Sequence, residues 1–344
     1  MNLKHPKIVI LGAGAIGGSV GAWVSGHYDN VFLLDRGEIA SALQNRGITT
    51  YLEGHKEQGD KVPVRVIQDL REAADADVVA IGVKNYSLEA VARSVREVLG
   101  DRPVILAMQN GVENQSILPK YFSRVIYCVN GYNAWIDEPG VIGYQRKGPL
   151  IFGTLHNELK EETEALAAVF NRGVETVVVD HLQDAAHSKL IINLTNSLTT
   201  LIGLGFRPVS DMAIFQKLLS NLLLEGVQIA RAAGFRECKI GGMPPWALMW
   251  AGAKLPRFIT KGLFQKNVKK MVISSMAQDI IQRGGHDSEL ETINGYFLKL
   301  ADRYGIRAPY NRAVYALCRE TFARAPFESL DVKEVYERVM KELP

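Results

Sequence analysis

The chain has 344 residues, of which 47% are hydrophobic and 22% are charged, a balance typical of globular proteins that argues against a disordered or fibrous chain. At roughly 150 residues per domain, this length predicts two domains. The 40 Lys and Arg residues exceed the 37 Asp and Glu residues by only three, far from the basic excess of nucleic-acid-binding proteins, so we expect no nucleic-acid partner.

The three cysteines, Cys128, Cys238 and Cys318, stand too far apart for a disulfide framework or a CxxC metal pair, and a reducing compartment suits them best. The apolar run at the N-terminus is too short for a signal-peptide core. The longest weakly polar stretch, 241–255, is shorter than a membrane span. We therefore expect a cytoplasmic protein without a membrane partner.

Short apolar runs alternate with helical patterns through the first half of the chain. The strand patterns cover residues 7–11, 31–34, 77–83, 104–108 and 175–179, and the helical patterns cover 16–25, 88–99 and 157–172. Compact apolar runs of this kind are typical of buried parallel strands. The alternation predicts a Rossmann-type, doubly wound parallel sheet in an α/β domain.

Helical patterns dominate after Leu182. They cover residues 185–204, 211–233, 269–282, 288–304 and 312–323. We place a domain boundary near Asp180, with a dinucleotide-binding domain over 1–180 and an all-helical substrate or catalytic domain over 181–344. The stretch 241–270 has no clear period and is interpreted as either a lid or a surface insertion.

A glycine motif directly follows the first predicted strand. Gly12, Gly14 and Gly17 form GxGxxG between a strand and a helix, a context that favours a ligand loop over a structural turn. The three glycines permit a tight turn, approach of a pyrophosphate to the backbone, and close packing of helix on strand. The helix N-terminus adds free N–H groups. We predict a dinucleotide-binding loop made of Gly12, Ala13, Gly14, Ala15, Ile16 and Gly17.

Further polar residues stand directly after predicted strands, where ligands bind in doubly wound sheets. They are Asp35, Arg36, Lys84 and Asn110. An acidic residue after the second strand binds a ribose 2′-hydroxyl and an arginine binds a 2′-phosphate, so Asp35 and Arg36 give opposite indications. Lys84 can meet a phosphate or carboxylate, and Asn110 can donate and accept hydrogen bonds. Taken singly, each is also compatible with an ordinary loop residue.

One motif points to a different chemistry. Residues 17–21 satisfy G-x-S-x-G, the pattern of a hydrolase nucleophile, but the glycine loop already uses this turn. We therefore expect Ser19 to lie inside the following helix. The sequence holds no HExxH, P-loop or Cys/His cluster, so we predict no metal site and no P-loop phosphoryl transfer.

A polar stripe runs along the apolar helical pattern 185–204, where Lys189, Asn193, Asn196 or Ser197, and Thr200 recur at helical spacing. A solvated face usually carries several charged residues, whereas this stripe has a single cation followed by small polar residues. A pocket for an oxygen-rich ligand and a surface face both remain open interpretations. Further along the chain, Glu289 lies in the first turn of a predicted helix, where the helix dipole by itself explains a carboxylate.

These residues together resemble ketopantoate reductase (2-dehydropantoate 2-reductase). The similar segments, in chain order, are GAGAIGG at the N-terminus, VK at 83–84, QNGVEN at 109–114, EPG at 138–140, KLIIN at 189–193, SSMAQD at 274–279 and SELETING at 288–295. The resemblance implies reduction of the ketone of 2-dehydropantoate to (R)-pantoate by NADPH, on the route to pantothenate and coenzyme A. It also makes a homodimer an expectation.

The resemblance assigns roles to individual residues. It implies that Lys189 is the general acid, that Glu289 binds substrate as part of the catalytic pair, and that Asn110, Asn193, Ser197 and Ser275 bind substrate. Lys84 and Arg36 are expected near the adenosine phosphate, and Asn110 is expected to contact both cofactor and substrate. Hydride transfer to a ketone builds negative charge on oxygen, which suits an ammonium that donates a proton.

Three departures keep alternatives open. Ser197 stands where the resemblance implies a second asparagine, Asp35 is atypical of a strictly NADPH-dependent member, and Pro244-Pro245-Trp246 belongs to an insertion. A second hypothesis is therefore an NAD(P)-dependent reductase of another 2-oxoacid, similar to D-mandelate dehydrogenase. A third is a non-catalytic dinucleotide-binding sensor. In the first two cases the partner is a small 2-oxoacid.

Overall fold

The structure is a computed structural model that describes residues 4–239, 241, 243–284 and 288–343. The chain divides into two compact units, Met1–Gln183 and Asp184–Pro344. No helix among the described residues is both long and apolar enough to cross a membrane. The two units are described separately below.

The first unit holds all twelve named strands. The strands are β1 (Ile8–Leu11), β2 (Val31–Leu34), β3 (Ile48–Leu52), β4 (Asp60–Val62), β5 (Arg65–Ile67), β6 (Val78–Ile81), β7 (Val104–Ala107), β8 (Val125–Asn130), β9 (Ala134–Glu138), β10 (Val141–Tyr144), β11 (Leu150–Gly153) and β12 (Thr176–Val178). Its helices are α1 (Ala15–Ser25), α2 (Gly37–Arg46), α3 (Asn85–Leu99), α4 (Asn114–Ile117) and α5 (Lys160–Phe170).

The main sheet has the order β12-β11-β8-β7-β6-β1-β2-β5. Strands β5, β2, β1, β6, β7 and β8 are all parallel and follow the 3-2-1-4-5-6 order of a Rossmann fold. Strand β11 is antiparallel to β8, and β12 is parallel to β11. The predicted Rossmann-type sheet is confirmed, and its strand order reverses between β1 and β6, where ligands bind in such sheets.

A second sheet, of order β4-β3-β10-β9, was not predicted. Strands β3 and β10 pair in parallel although residues 48–52 and 141–144 are far apart in the chain. Helix α1 packs against β2 of the main sheet and against β3 and β9 of the second sheet. One core of buried side chains includes Leu33, Ile48 and Ile142, so the two sheets share a hydrophobic interior.

The second unit is helical, as predicted. Its helices are α6 (Leu182–Asn193), which crosses the unit boundary, α7 (Thr195–Leu201), α8 (Met212–Ala232), α9 (Trp246–Lys254), α10 (Arg257–Val268), α11 (Ser275–Ala277), α12 (Tyr296–Arg303), α13 (Pro309–Phe322) and α14 (Val332–Glu342). Asp211 caps α8 because its carboxylate accepts hydrogen bonds from the N–H groups of Ala213 and Ile214. Residues 278–282 and 291–295 form π-helical turns.

Several predicted helices were wrong in extent. The pattern 185–204 is two helices, because Thr195 and Ser197 hydroxyls donate to the carbonyls of Ile192 and Leu194, at 2.7 Å each, and compete with the helical ladder. The pattern 269–282 begins with a turn at 269–270 and irregular backbone at 271–274. Its short helix α11 starts after Ser274, whose Oγ accepts from the Ala277 N–H. The prediction 288–304 becomes a π-helical turn followed by α12, and α14 was missed.

Candidate active site

The glycine loop has the geometry that a dinucleotide requires. Gly12 has φ +95°, and a Cβ there would lie 2.9 Å from Val83 Cγ1, so only glycine fits the turn. A Cβ on Gly17 would lie 1.9 Å from the Gly12 carbonyl oxygen, which shows how closely α1 approaches the loop. Around Gly14, by contrast, the structure places no atom within 4 Å of a Cβ position. The loop is therefore tight on the protein side and open at its middle glycine.

The start of helix α1 is available to an anion. Within the described part of the chain, no side chain caps its N-terminus, which begins at Ala15 directly after Gly14. Free N–H groups and the helix dipole at such a terminus favour a phosphate. Tight glycines, an open cradle and an uncapped helix end fit a dinucleotide pyrophosphate.

Ser19 lies in α1, as expected, and is not a nucleophile candidate. Its side chain is fully buried, its hydroxyl donates to carbonyls of the preceding turn, and it shares a 2.8 Å hydrogen bond with the Tyr132 hydroxyl. The tie to Tyr132 packs α1 against the sheet. The prediction that Ser19 lies inside the helix is confirmed.

Asp35 and Arg36 both follow β2 but have different surroundings. The Asp35 carboxylate accepts hydrogen bonds from the backbone N–H of Ala13, at 2.6 Å, and from that of Arg36, at 2.7 Å. Asp35 therefore braces the glycine loop from the neighbouring strand. Arg36 is exposed at the start of α2.

Lys84 and Asn110 follow β6 and β7, two strands that are adjacent in the sheet, and both residues are half-buried. Lys84 is the N-cap residue of α3, and Asn110 follows β7 by three residues. Because the carboxyl ends of parallel strands meet at one edge, the structure brings both residues to the edge that carries the glycine loop. All predicted cofactor-binding residues thus lie at one end of the sheet.

Two carboxamides beside this pair were missed. Asn85 Nδ2 donates to the Asn110 carbonyl at 2.8 Å, and Gln109 Nε2 donates to the Ile81 carbonyl at 2.6 Å and to the Val83 carbonyl at 3.2 Å. Both side chains are buried. Their position in the sequence, next to the predicted cofactor-binding residues, could have indicated them. Their hydrogen-bond partners, however, are backbone carbonyls that belong to the neighbouring strand and its loop, which the sequence does not show.

In the second unit, Lys189 and Asn193 lie one turn apart on α6, so their side chains leave the same face of the helix. Both are half-buried rather than solvated. The helix is anchored just before Lys189, because the buried His187 stacks on Phe235 at 3.5 Å between ring centroids and hydrogen-bonds the Tyr296 hydroxyl at 2.8 Å. Burial raises the pKa of Tyr296 to about 12, so this hydroxyl keeps its proton.

Ser275 and Glu289 are in contact. The Ser275 hydroxyl donates to Glu289 Oε2 at 3.3 Å, and Glu289 is only 8% exposed. Ser274, next to Ser275, shares a 3.2 Å hydrogen bond with the hydroxyl of Thr200 on α7. The structure therefore joins the segments that hold Ser275 and Glu289 to the helix that follows Asn193.

Ser197 lies inside the helical unit rather than on a free face. It is fully buried, donates to the Leu194 carbonyl and accepts from Asn294 Nδ2 at 3.0 Å. Asn294 Nδ2 also lies 3.3 Å from the Leu194 carbonyl, which ties the turn between α6 and α7 to the π-helical turn 291–295. This placement argues against direct substrate contact by Ser197, because its hydroxyl is occupied within the core. Asn294 was missed, although it belongs to the segment that carries Glu289.

Among the described residues, no group of three or more His, Cys, Asp or Glu side chains is arranged to hold a metal ion. The chemistry that this chain offers is instead that of an ammonium, a carboxylate, hydroxyls and carboxamides. These groups can orient a small oxygen-rich molecule and supply a proton to it.

Comparison with known proteins identifies the family. The family model described as "Ketopantoate reductase PanE/ApbA" matches residues 8–157. The model described as "Ketopantoate reductase PanE/ApbA C terminal" matches residues 181–322. The chain belongs to the ketopantoate reductase family. This confirms the resemblance drawn from the sequence segments.

Individual relatives agree with this assignment. The chain is 27% identical to the 2-dehydropantoate 2-reductase of Archaeoglobus fulgidus over 92% of its own length and 98% of the relative. The crystal structure of 2-dehydropantoate 2-reductase from Geobacter metallireducens superposes with a TM-score of 0.72 at 23% identity, covering 91% of this chain and 99% of that one. The chain is an NAD(P)H-dependent oxidoreductase, as predicted.

The fold also extends beyond ketopantoate reductases. A D-mandelate dehydrogenase, solved with NADH and anilino(oxo)acetate, superposes with a TM-score of 0.71 at 18% identity, covering 97% of this chain and 99% of that one. At this identity the likeness shows a shared fold. Solved proteins described as 2-dehydropantoate 2-reductase and as D-mandelate dehydrogenase thus share this fold.

Proposed function

We propose that this chain is a 2-dehydropantoate 2-reductase, which reduces the ketone of 2-dehydropantoate to (R)-pantoate with NADPH. The observation that carries the proposal is the contact of Ser275 with the buried Glu289. Through the bond between Ser274 and Thr200, these residues are tied to α7, the helix that directly follows Lys189 and Asn193 on α6. The family resemblance assigns substrate binding and proton donation to these residues. A cytoplasmic location and a homodimer stay predictions.

The residues divide the work as follows. The nicotinamide, when bound, supplies the hydride. The Lys189 ammonium donates a proton to the ketone oxygen as negative charge builds there. Glu289 accepts a hydrogen bond from a substrate hydroxyl, and Asn110 donates to the substrate carboxylate. The Ser275 hydroxyl, which donates to Glu289 in this structure, turns to the same carboxylate when substrate binds. Asn193, one turn from Lys189, orients the same substrate.

The cofactor half of the proposal places the pyrophosphate at the glycine loop, with Lys84 and Arg36 toward the adenosine phosphate. The open cradle at Gly14 and the uncapped start of α1 support this assignment. Arg36 is exposed and always charged, which suits a 2′-phosphate. NADPH is therefore the proposed cofactor.

A second candidate is an NADH-linked reductase of another 2-oxoacid, and Asp35 supports it. Its carboxylate lies on the glycine loop, where an acidic group favours a ribose 2′-hydroxyl and repels a 2′-phosphate. The third hypothesis, a non-catalytic sensor, has no comparable support, because a sensor does not require Lys189 and Glu289.

One assay distinguishes these functions. The oxidation of NADPH and of NADH is followed separately by absorbance, first with 2-dehydropantoate and then with bulkier 2-oxoacids. Turnover of 2-dehydropantoate with NADPH is the expected result. Turnover of other 2-oxoacids but not of 2-dehydropantoate, or turnover with NADH but not with NADPH, would favour the second candidate. Cofactor binding without any turnover would indicate a sensor.

The Lys189→Ala variant tests the proton donor. We expect turnover to fall roughly a hundredfold or more, as for the loss of a general acid, with cofactor binding unchanged. A Lys261→Ala variant, at an exposed lysine of α10, is the matched control. Near-normal turnover in Lys189→Ala would remove Lys189 from the mechanism.

A further inference from the structure

The loops that follow β6 and β7 are joined in both directions by side chains. Asn85, from the β6 side, donates through Nδ2 to the Asn110 carbonyl on the β7 side at 2.8 Å. Gln109, from the β7 side, donates through Nε2 to the carbonyls of Ile81 and Val83 on the β6 side at 2.6 and 3.2 Å. We call Asn85 and Gln109 together the carboxamide brace.

The carboxamide brace joins β6 and β7 beyond the point where their backbone hydrogen bonds end. Strand β6 ends at Ile81 and β7 at Ala107, and the backbone bond from the Met108 N–H to the Ile81 carbonyl lies at the end of their pairing. Beyond it, the loops carry Lys84 and Asn110. Side-chain amides that are 8% and 6% exposed replace the missing ladder bonds.

Asn85 is poorly explained by stability alone. It is the first residue of α3, and its Oδ1 is buried without a hydrogen-bond partner among the described residues. A buried acceptor without a partner costs free energy, and alanine is the better helix former. Asn85 thus accepts the cost of an unpaired acceptor for a single bond, the one that its amide donates to the Asn110 carbonyl.

We propose that Asn85 and Gln109 are positioning residues that set the spacing of Lys84 and Asn110 for the nicotinamide cofactor. The inference rests on the proposed function only in assigning Lys84 and Asn110 to that cofactor. Asn85 fixes the backbone of Asn110 and hence the origin of its side chain. Gln109 fixes the strand end that leads to Lys84, and its Oε1 accepts a 3.4 Å hydrogen bond from Asn114 Nδ2 of its own segment, which holds the Gln109 side chain in place.

The test is Asn85→Ala, with binding of NADPH and of NADH measured by titration of their fluorescence in the full-length protein. We expect the dissociation constant of the preferred cofactor to rise about tenfold, the effect of losing one buried hydrogen bond at the site. The melting temperature should change little, because loss of the bond to Asn110, a residue that is only half-buried, is offset by removal of the unpaired Oδ1. In turnover, KM for the cofactor should rise more than kcat falls.

Two further variants sharpen the result. Asn85→Asp keeps the shape but sets a carboxylate oxygen against the Asn110 carbonyl, so it should weaken cofactor binding at least as much as Asn85→Ala. Arg93→Ala, at an exposed position of the same helix, should bind cofactor as the wild type does.

Wild-type cofactor affinity in Asn85→Ala would overturn the positioning role. So would a loss of affinity accompanied by a clear fall in melting temperature, which would make Asn85 structural only. These outcomes differ from failure of the proposed function, in which the wild-type protein itself binds neither nicotinamide cofactor or binds one without reducing 2-dehydropantoate.

Discussion

At the scale of single residues, we propose that cofactor choice depends on two neighbours with opposite charge. The carboxylate of Asp35 is held by two backbone N–H groups, whereas the guanidinium of Arg36 is exposed. A fixed carboxylate cannot rotate away from a 2′-phosphate, so Arg36 must supply the attraction that offsets it. The balance between these two charges is open to direct measurement.

We predict that Arg36→Ala raises KM for NADPH about tenfold or more and changes KM for NADH little, because a hydrogen bond to a charged phosphate contributes about 1.5–3 kcal/mol. Steady-state kinetics with both cofactors checks this. The companion variant Asp35→Asn keeps an acceptor for the Ala13 N–H but removes the negative charge, so it should lower KM for NADPH. Equal effects of Arg36→Ala on both cofactors would contradict the assignment.

At the scale of elements, the turn between α6 and α7 is held by a residue almost a hundred positions away. Asn294 lies within hydrogen-bond distance of both the Leu194 carbonyl and the Ser197 hydroxyl and is 1% exposed. It therefore orients the end of the helix that carries Lys189 and Asn193. A π-helical turn at Asn294 fits this role, since such turns occur often at functional sites.

Asn294→Ala should lower the free energy of unfolding by about 1 kcal/mol, because the buried Ser197 hydroxyl loses its donor, while the Leu194 carbonyl still accepts from that hydroxyl. Urea denaturation followed by circular dichroism measures the change. Asn267→Ala, at an exposed asparagine of α10, is the control and should unfold as the wild type does. Unchanged stability in Asn294→Ala would show that the turn holds without this side chain.

Another long-range contact caps a helix. Glu225 on α8 accepts hydrogen bonds from the N–H groups of Tyr310 and Asn311 and from Asn311 Nδ2, at 2.8–3.0 Å. These N–H groups belong to the first turn of α13, which has no partner within the helix for them. Burial raises the pKa of the Glu225 carboxyl above its usual 4.5 despite these bonds.

The raised pKa gives a pH dependence of known sign. Because folded Glu225 holds its proton more tightly than unfolded Glu225, its contribution to the free energy of unfolding increases as the pH falls through the raised pKa toward 4.5. Glu225→Gln does not titrate. In urea unfolding, the stability of the wild type relative to Glu225→Gln should therefore increase as the pH is lowered from neutral toward 4.5. A difference that decreases with acidification would contradict the burial argument.

At the scale of the whole molecule, each of the two compact units has buried aromatic side chains of its own. Phe152 and Phe170 are fully buried in the first unit, and Phe215 and Phe297 are fully buried in the second. Chains with more than one such unit often depart from two-state unfolding. The glycine loop belongs to the first unit, so we expect bound cofactor to stabilise mainly that unit against unfolding.

We expect the calorimetric unfolding enthalpy of the full chain to exceed its van't Hoff enthalpy, and NADPH at about a hundred times its dissociation constant to stabilise the folded state by about 2.7 kcal/mol. Differential scanning calorimetry with and without NADPH measures both quantities, and NADP⁺-free buffer with adenosine serves as the control. A single two-state transition with equal enthalpies would show that the units unfold together.

Local patterns were sufficient for the elements whose signals lie in neighbouring residues. Strands β1, β2, β6 and β7, the glycine loop, the position of Ser19 within α1 and the start of α8 at Asp211 depend on contacts within a few positions, and they were predicted. Strands β5 and β8 of the same sheet were missed. Helices α9 and α10 were also missed. Helix α10 has no buried residue, so no apolar period marks it, and α9 buries only Trp246 and Met249.

The remaining features required the folded chain. The second sheet pairs residues 48–52 with 141–144, the carboxamide brace pairs Asn85 with Asn110, and Glu225 caps a helix that begins at Pro309. No periodicity records such pairs, because a hydrogen bond depends on distance in space and not on separation in the chain. Residue types and spacing thus led to the family and to its candidate site residues. Long-range packing decides which of those residues are held in place and which hydrogen bonds hold them.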